Sequence, residues 1–333
     1  MRLLHPRIAT VVGILTLTGA CSHKAPEGSG GPAPSASAST SASAGAASAS
    51  AAPSASSAAF DTGAAAFSTV FDKTKVAYVL NPEQLPPYSG PTGSVEGIVT
   101  IDGPPSPNVP LLGTGKCPAA IDTFGKQFRD GPAAKPGGPR PLADAVVTVT
   151  GFEKVPGYQG FYVPEKNDVV RLTIGTNCSY PTRTLAITYG QRLEILNQTK
   201  MLFAPLIDDI STPAVMVAPP SGSGEAIKIY PQQAGYFMMS DRLEPFVHED
   251  LYVFRHPLHA VTDRAGHYRI DGVPVGTVKV GVYHPGAKAA GEAQVQFLEG
   301  VVQKADVALT FKLIPVPPPV DLTKVPPWRR PND

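Results

Sequence analysis

The stretch SDRLEPFVHEDLYVFRHP at 240–257 sets Asp241, Glu244, Glu249 and Asp250 among Arg242, Arg255, His248 and His256, beside a run of strand formers at 251–254. Carboxylate oxygens at Asp241 and Glu244, with His248 or Asp250 nearby, are hard donors of the kind that hold Ca²⁺ or another weakly bound divalent ion. The plainer expectation is a solvated loop. In that case Arg242 and Arg255 partly neutralise the acids, each exposed pair contributing about 0–1 kcal/mol. A second group, His259, His267 and His284, brings three imidazoles that suit Zn²⁺. His259 in HAVTD and His267 in GHYRI are expected on neighbouring strands of one hairpin, facing each other. Their spacing matches no zinc motif, so no metal and no cofactor is expected, with these three as weak alternatives.

Catalytic signatures are absent from the sequence. There is no GxSxG elbow, no HExxH and no phosphate-cradling loop. The acid pairs Asp208-Asp209 and Glu249-Asp250 are adjacent in sequence, so on a strand their side chains point to opposite faces. No catalytic residue is assigned and the chain is expected to be non-catalytic.

The elements that must position these groups are short strands. Only 17% of the 333 residues are charged, while Pro (37) and Gly (32) are plentiful. Such a chain breaks helices and makes turns. Past Phe67, β-branched and aromatic runs recur between Gly, Pro and Asn. They include GSVEGIVTID, ADAVVTVTGF, VVRLTI, RTLAITYG, QRLEILNQ, EAIKIYP, YFMMS, GTVKVGVYH, AQVQFLEG and VALTFKL. Many alternate with period two, which predicts an all-β sandwich or two joined ones. The one weak helical possibility falls at 67–79. A net charge of +1 argues against electrostatic capture of nucleic acid.

The first twenty residues carry a basic head, Arg2 and Arg7, then an uncharged run at 8–20 too short to span a bilayer as a helix. Residues 25–66 are almost wholly Ala, Ser, Gly, Pro and Thr and cannot bury a core. They are expected to act as a flexible spacer reaching about 35–40 Å on average. The end of the chain, IPVPPPVDLTKVPPWRRPND at 314–333, has a polyproline-type composition and holds Trp328, the only Trp. Three cysteines are present. In an exported protein Cys117 and Cys178 are expected to form a disulfide, with two buried free thiols as the alternative.

Two resemblances add to this reading. LTLTGAC at 15–21 resembles a bacterial lipoprotein signal, with Thr18 where Leu is usual. The resemblance implies a leader at 1–20, lipidation of Cys21 and, with Ser22 following, an outer-membrane anchor in the bilayer. The second rests on GSVEGIVTIDGPPSP, QRLEILNQTKMLFAP and HPLHAVTDRAGHYRIDGVPVGTVKVGVYHP in that order. Together these resemble bacterial secreted proteins that join a cupredoxin-like sandwich to a carboxypeptidase-regulatory-like segment. With the linker at 21–66, an entry segment at 67–92 and the tail at 314–333 set off by composition, the resemblance implies a cupredoxin-like sandwich at 93–248 and a regulatory-like segment at 249–313. In copper-bearing members of the family, the positions of Phe203, Asp241, Glu244 and Val247 carry His, Cys, His and Met, the donors of a type 1 copper site. Every ligand is replaced here, and Phe203 and Phe246 are expected to pack where the metal would sit. The function implied is a non-catalytic envelope module that binds a protein or carbohydrate partner or plays a structural role. A copper-handling protein with an altered site is the alternative.

Overall fold

The computed structural model describes residues 66–154, 163–175, 178–207, 216–221 and 224–313. The leader, Cys21, nearly all of the linker, the Asp208-Asp209 pair and the Pro-rich tail with Trp328 lie outside the described residues. The all-β expectation holds. The first half of the chain forms β1 (Phe67–Ser68), α1 (Lys73–Leu80), β2 (Thr92–Asp102), α2 (Ile121–Phe124), β3 (Arg140–Pro141), β4 (Val146–Thr150), β5 (Val169–Ile174) and β6 (Thr184–Thr188). It continues with β7 (Arg192–Asn197), β8 (Pro205–Ile207), β9 (Ile227–Pro231), β10 (Gly235–Asp241), β11 (His248–Phe254) and β12 (His259–Val261). The closing strands are β13 (His267–Pro274), β14 (Gly276–His284), β15 (Ala289–Phe297), β16 (Val302–Lys304) and β17 (Val307–Thr310).

Two sandwiches follow from the pairing, each around its own apolar core. One stacks the sheets β1-β9-β7-β5 and β6-β11-β10-β8 over Leu172, Ile174, Ile187, Leu193, Ile195, Met239, Leu251 and Val253. The other stacks β12-β4-β14-β15 against β13-β2-β16, with β3 and β17 also on β2, over Val95, Val99, Val147, Val149, Val278, Val280 and Phe297. The inward residues are two apart on each strand, as a pleated strand with one buried face requires.

The strand pairing departs from the division at 93–248 and 249–313. β2 and β4 belong with the late strands: β2 pairs with β13, β16 and β17, and β4 with β12 and β14. The sandwich of β1 and β5–β11 lies, apart from β1, in the stretch between β4 and β12. The entry segment belongs to this inserted sandwich, because β1 pairs with β9 and Val76 and Leu80 of α1 enter its core. Those two residues are four apart, one face of a helix. Asp72 caps the helix, its Oδ1 accepting from Lys75 N at 3.0 Å.

The TDRAGHY turn shows why its residue types stand where they do. Thr262 donates its hydroxyl to Leu142 O at 2.7 Å and accepts from Ala145 N at 2.9 Å, tying the turn to the entry of β4. Asp263 Oδ1 accepts from Ala265 N at 2.8 Å and His267 N at 2.9 Å. Gly266 has φ 78°, and a Cβ there would lie 2.5 Å from Val99 O. The position therefore admits only glycine without a shift of β2.

Candidate functional site

The corner that the resemblance assigns to copper is closed by the chain itself. Asp241 ends β10 and is buried. Its carboxylate accepts from three backbone N–H groups: Ala204 at 2.7 Å, Leu243 at 2.9 Å and Glu244 at 3.0 Å. Burial pushes this carboxyl above the usual range, and the three N–H groups act against that rise. Glu244 is also buried and pushed up by burial. Phe203 and Val247 are fully enclosed in the core. Phe203 exchanges both backbone hydrogen bonds with Ala218, and Asn197 braces that bridge by donating to Ala218 O at 3.0 Å and Met201 O at 2.7 Å.

The expected Phe203–Phe246 pairing takes a different form. Both rings enter the same core, but Phe246 sets its ring against Phe124 of α2, with centroids 6.2 Å apart. The solvated-loop expectation is corrected as well. Asp241 is held by N–H groups of the main chain, and Glu249 has no exposed surface. A type 1 copper centre needs a thiolate and two imidazoles. Aromatic, aliphatic and carboxylate groups spent on backbone N–H bonds do not fit it. Asp241→Ala should leave three N–H groups, two of them enclosed, without their acceptor and lower stability by about 1–3 kcal/mol. Urea unfolding of the variant checks this, and an unchanged midpoint would remove the bracing role.

The three late histidines are not brought together. His259 on β12 pairs with β4, whereas His267 on β13 pairs with β2 in the opposite sheet, so the expected hairpin does not form. His259 Nε2 lies 3.0 Å from Thr188 Oγ1, and its ring stacks at 4.8 Å on Phe254. Burial holds its pKa down to about 3. His284 donates from Nε2 to Ala143 O at 3.0 Å and accepts from Ala287 N at Nδ1. It too is held down by burial, to about 4. His267 is exposed beside Asp263, at 3.6 Å. Among the described residues no group of three His, Cys, Asp or Glu is placed to hold a metal ion.

A different feature emerges where the two sandwiches meet. On β11, Glu249, Leu251 and Val253 turn inward while His248, Asp250, Tyr252 and Phe254 turn outward. The register places Tyr236 of β10 directly opposite Tyr252, with ring centroids 5.2 Å apart. The row runs on to Phe254, 6.3 Å from Tyr252, and ends on His259. At its open end Tyr283 from β14, with Pro285, Gly286 and Lys288 of the following turn, closes a groove of about 670 Å³. Tyr236 is 53% exposed and Tyr283 40%.

The floor of the groove is rigid. Arg183 donates to Lys126 O at 2.7 Å, to Gln127 O at 3.1 Å and to His248 Nε2 at 2.9 Å. Its guanidinium stands 5.8 Å over the Phe124 ring. With Nε2 accepting, His248 donates from Nδ1 to Phe246 O at 3.2 Å. Burial first, and Arg183 second, hold its pKa down to about 4, so it is neutral. Gln127 Nε2 donates to Gly286 O at 2.8 Å. A Cβ at Gly286 would stand 2.5 Å from Gln127 O, so this closure depends on a glycine. Tyr236 donates its hydroxyl to Asp250 Oδ1 at 2.7 Å. The result is a set of aromatic faces with a carboxylate, an amide and an ammonium at the rim. That combination suits a ligand with flat apolar faces and hydrogen-bonding edges.

The period-two spacing of Tyr252 and Phe254 was visible in the sequence. Tyr236, Tyr283 and Gln127 were not linked to it, because register and the contact between sandwiches bring them in.

No family model matches the sequence, and no curated protein matches it. Among solved structures, the chain is similar to amicyanin from Paracoccus versutus at 18% identity, covering 32% of this chain and 96% of that one, with a TM-score of 0.23. It is also similar to a copper-containing nitrite reductase from Thermus scotoductus at 19% identity, covering 29% of this chain and 24% of that one, with a TM-score of 0.22.

Proposed function

We propose that this chain is a non-catalytic β-sandwich module of the bacterial envelope, tethered through a lipidated Cys21 in the outer membrane, that engages a partner at the tyrosine groove. The observation that carries this reading is the convergence of Tyr236, Tyr252 and Tyr283, from two sandwiches, on one rigid-floored groove. Exposed aromatics over a braced floor form contact area at little cost in ordering. The test is calorimetric titration of the chain with a panel of envelope oligosaccharides and Pro-rich peptides, alongside a Tyr252→Ala/Tyr283→Ala variant. Binding by the parent that is lost in the variant supports the reading. Binding that survives the variant, or none at all by the parent and by a chain whose tail carries Pro326→Ser/Pro327→Ser, overturns it.

The copper-handling alternative finds no support in the donor set at 203, 241, 244 and 247. Titration of metal-free chain with Cu²⁺ is expected to produce no intense thiolate-to-copper absorption, since Cys117 and Cys178 are joined. Appearance of that band would reverse the assignment.

A further inference from the structure

The groove lies close to the place where the chain leaves the second sandwich. After β17, Phe311 sets its ring edge-on against Phe128, with centroids 4.8 Å apart. Gln127, the next residue back from Phe128, is part of the groove wall and is tied to Gly286 across it. The described chain ends two residues beyond Phe311, and the sequence that follows is IPVPPPVDLTKVPPWRRPND. Twenty residues in a polyproline II conformation span about 60 Å at roughly 3.1 Å each, so length does not limit reach to a groove that begins beside the exit point.

The chemistry of the two parts matches. A polyproline II strand has no internal hydrogen bonds, so its carbonyls seek external donors, and its stiffness means little entropy is lost on docking. Aromatic-lined grooves recognise such strands through ring-on-ring contact with proline and through hydrogen bonds to those carbonyls. Tyr252 and Tyr283 offer both rings and hydroxyls. At the rim, Asp250 offers a carboxylate to a guanidinium, and the segment 325–331, VPPWRRP, places Arg329 and Arg330 directly after Pro326, Pro327 and Trp328. An oligosaccharide fits the aromatic faces as well, but nothing at the groove selects it over a segment of the same chain that begins twelve residues beyond Leu313.

We propose that the segment VPPWRRP of this chain's own tail docks in the Tyr236–Tyr252–Tyr283 groove as a polyproline II strand, with Pro326 and Pro327 on the tyrosine rings and an arginine on Asp250. This inference rests on the binding-groove reading above and names the groove's resting occupant.

Trp328 is the only tryptophan in the chain, so its fluorescence reports the tail alone. In the full chain its emission is expected to lie to the blue of that of a free 314–333 peptide, with several-fold weaker quenching by acrylamide. Both Tyr252→Ala/Tyr283→Ala and Pro326→Ser/Pro327→Ser should return emission and quenching to the free-peptide values. The proline variant leaves the sandwiches untouched, so a folding defect in the tyrosine variant cannot imitate the result. Emission in the parent equal to that of the free peptide, or emission unmoved by either variant, overturns the proposal. If Trp328 behaves as free while an oligosaccharide or a foreign Pro-rich peptide still binds through the tyrosines, docking of the tail fails and the groove reading stands. If no ligand in either experiment responds to the tyrosines, both fail.

Discussion

Asp144→Ala is expected to lower the stability of the chain by about 3–5 kcal/mol, the range for removing one partner of an enclosed ion pair. Asp144 stands at φ 63° just before β4, and its side chain is 1% exposed. Arg129 binds it in fork fashion, Nε to Oδ2 at 2.6 Å and Nη2 to Oδ1. Arg183 N donates to the same Oδ1 at 3.0 Å. The carboxylate thus joins the start of β4 in one sandwich to the start of β6 in the other and steadies Arg183 under the groove. Its removal leaves the Arg129 guanidinium, 10% exposed, without its counter-charge. The attraction of the pair largely repays its own desolvation, so the loss comes from the orphaned charge more than from the pair's net worth. Asp144→Asn keeps a side chain that tolerates the left-handed backbone and one oxygen acceptor, and should fall between the parent and the alanine variant. Urea unfolding monitored by far-UV dichroism measures all three. A loss below about 1 kcal/mol in Asp144→Ala would mean that the contact is ornamental to stability.

Opening the Cys117–Cys178 bridge should cost a comparable amount. The two residues are 61 apart in sequence with Cα atoms 6.0 Å apart, and both are buried. Closing a loop of that length restricts the unfolded chain by about 4 kcal/mol in the chain-entropy description. The structural consequence is local. The bridge anchors the segment leading into α2, which brings Phe124 against Phe246, His248 and Arg183. A Cys117→Ser/Cys178→Ser chain is therefore expected to unfold at markedly lower urea, with the 117–124 segment showing the largest gain in amide hydrogen exchange. Equal protection of that segment in both forms would separate the bridge from the groove floor. An unchanged urea midpoint would show that the residual structure of the unfolded chain already supplies the restriction.

Strand existence was legible residue by residue. VVRLTI reads as a strand and is β5 from end to end, and GTVKVGVYH is β14. In both, β-branched residues alternate between Gly, Pro or Asn fences, a pattern that only a strand satisfies locally. The cysteine pairing was legible by counting, because two thiols remained once Cys21 was assigned to the leader's end. Phe203, Asp241, Glu244 and Val247 are legible as types that supply neither the thiolate nor the imidazoles of a type 1 copper site. Their new work is not. Nothing in Asp241 announces that its oxygens gather N–H groups from Ala204, thirty-seven residues earlier.

Strand partners were not legible at all. β2 and β17 pair in parallel across two hundred residues of chain, and the inserted sandwich separates β4 from β12. A period of two says that a segment has an inner and an outer face. It does not say which other strand shares that inner face, since the choice depends on how all the apolar faces are covered at once. The same gap affects His259 and His267: nearness in sequence suggests one hairpin, but their strands lie in opposite sheets. By itself the sequence determined an all-β body and one cysteine pair, because each follows from residue type, local spacing or counting. Only the tertiary structure decided the nesting of the sandwiches, the three backbone N–H groups on Asp241 and the meeting of Tyr236, Tyr252 and Tyr283, because each requires long-range burial to choose the neighbours.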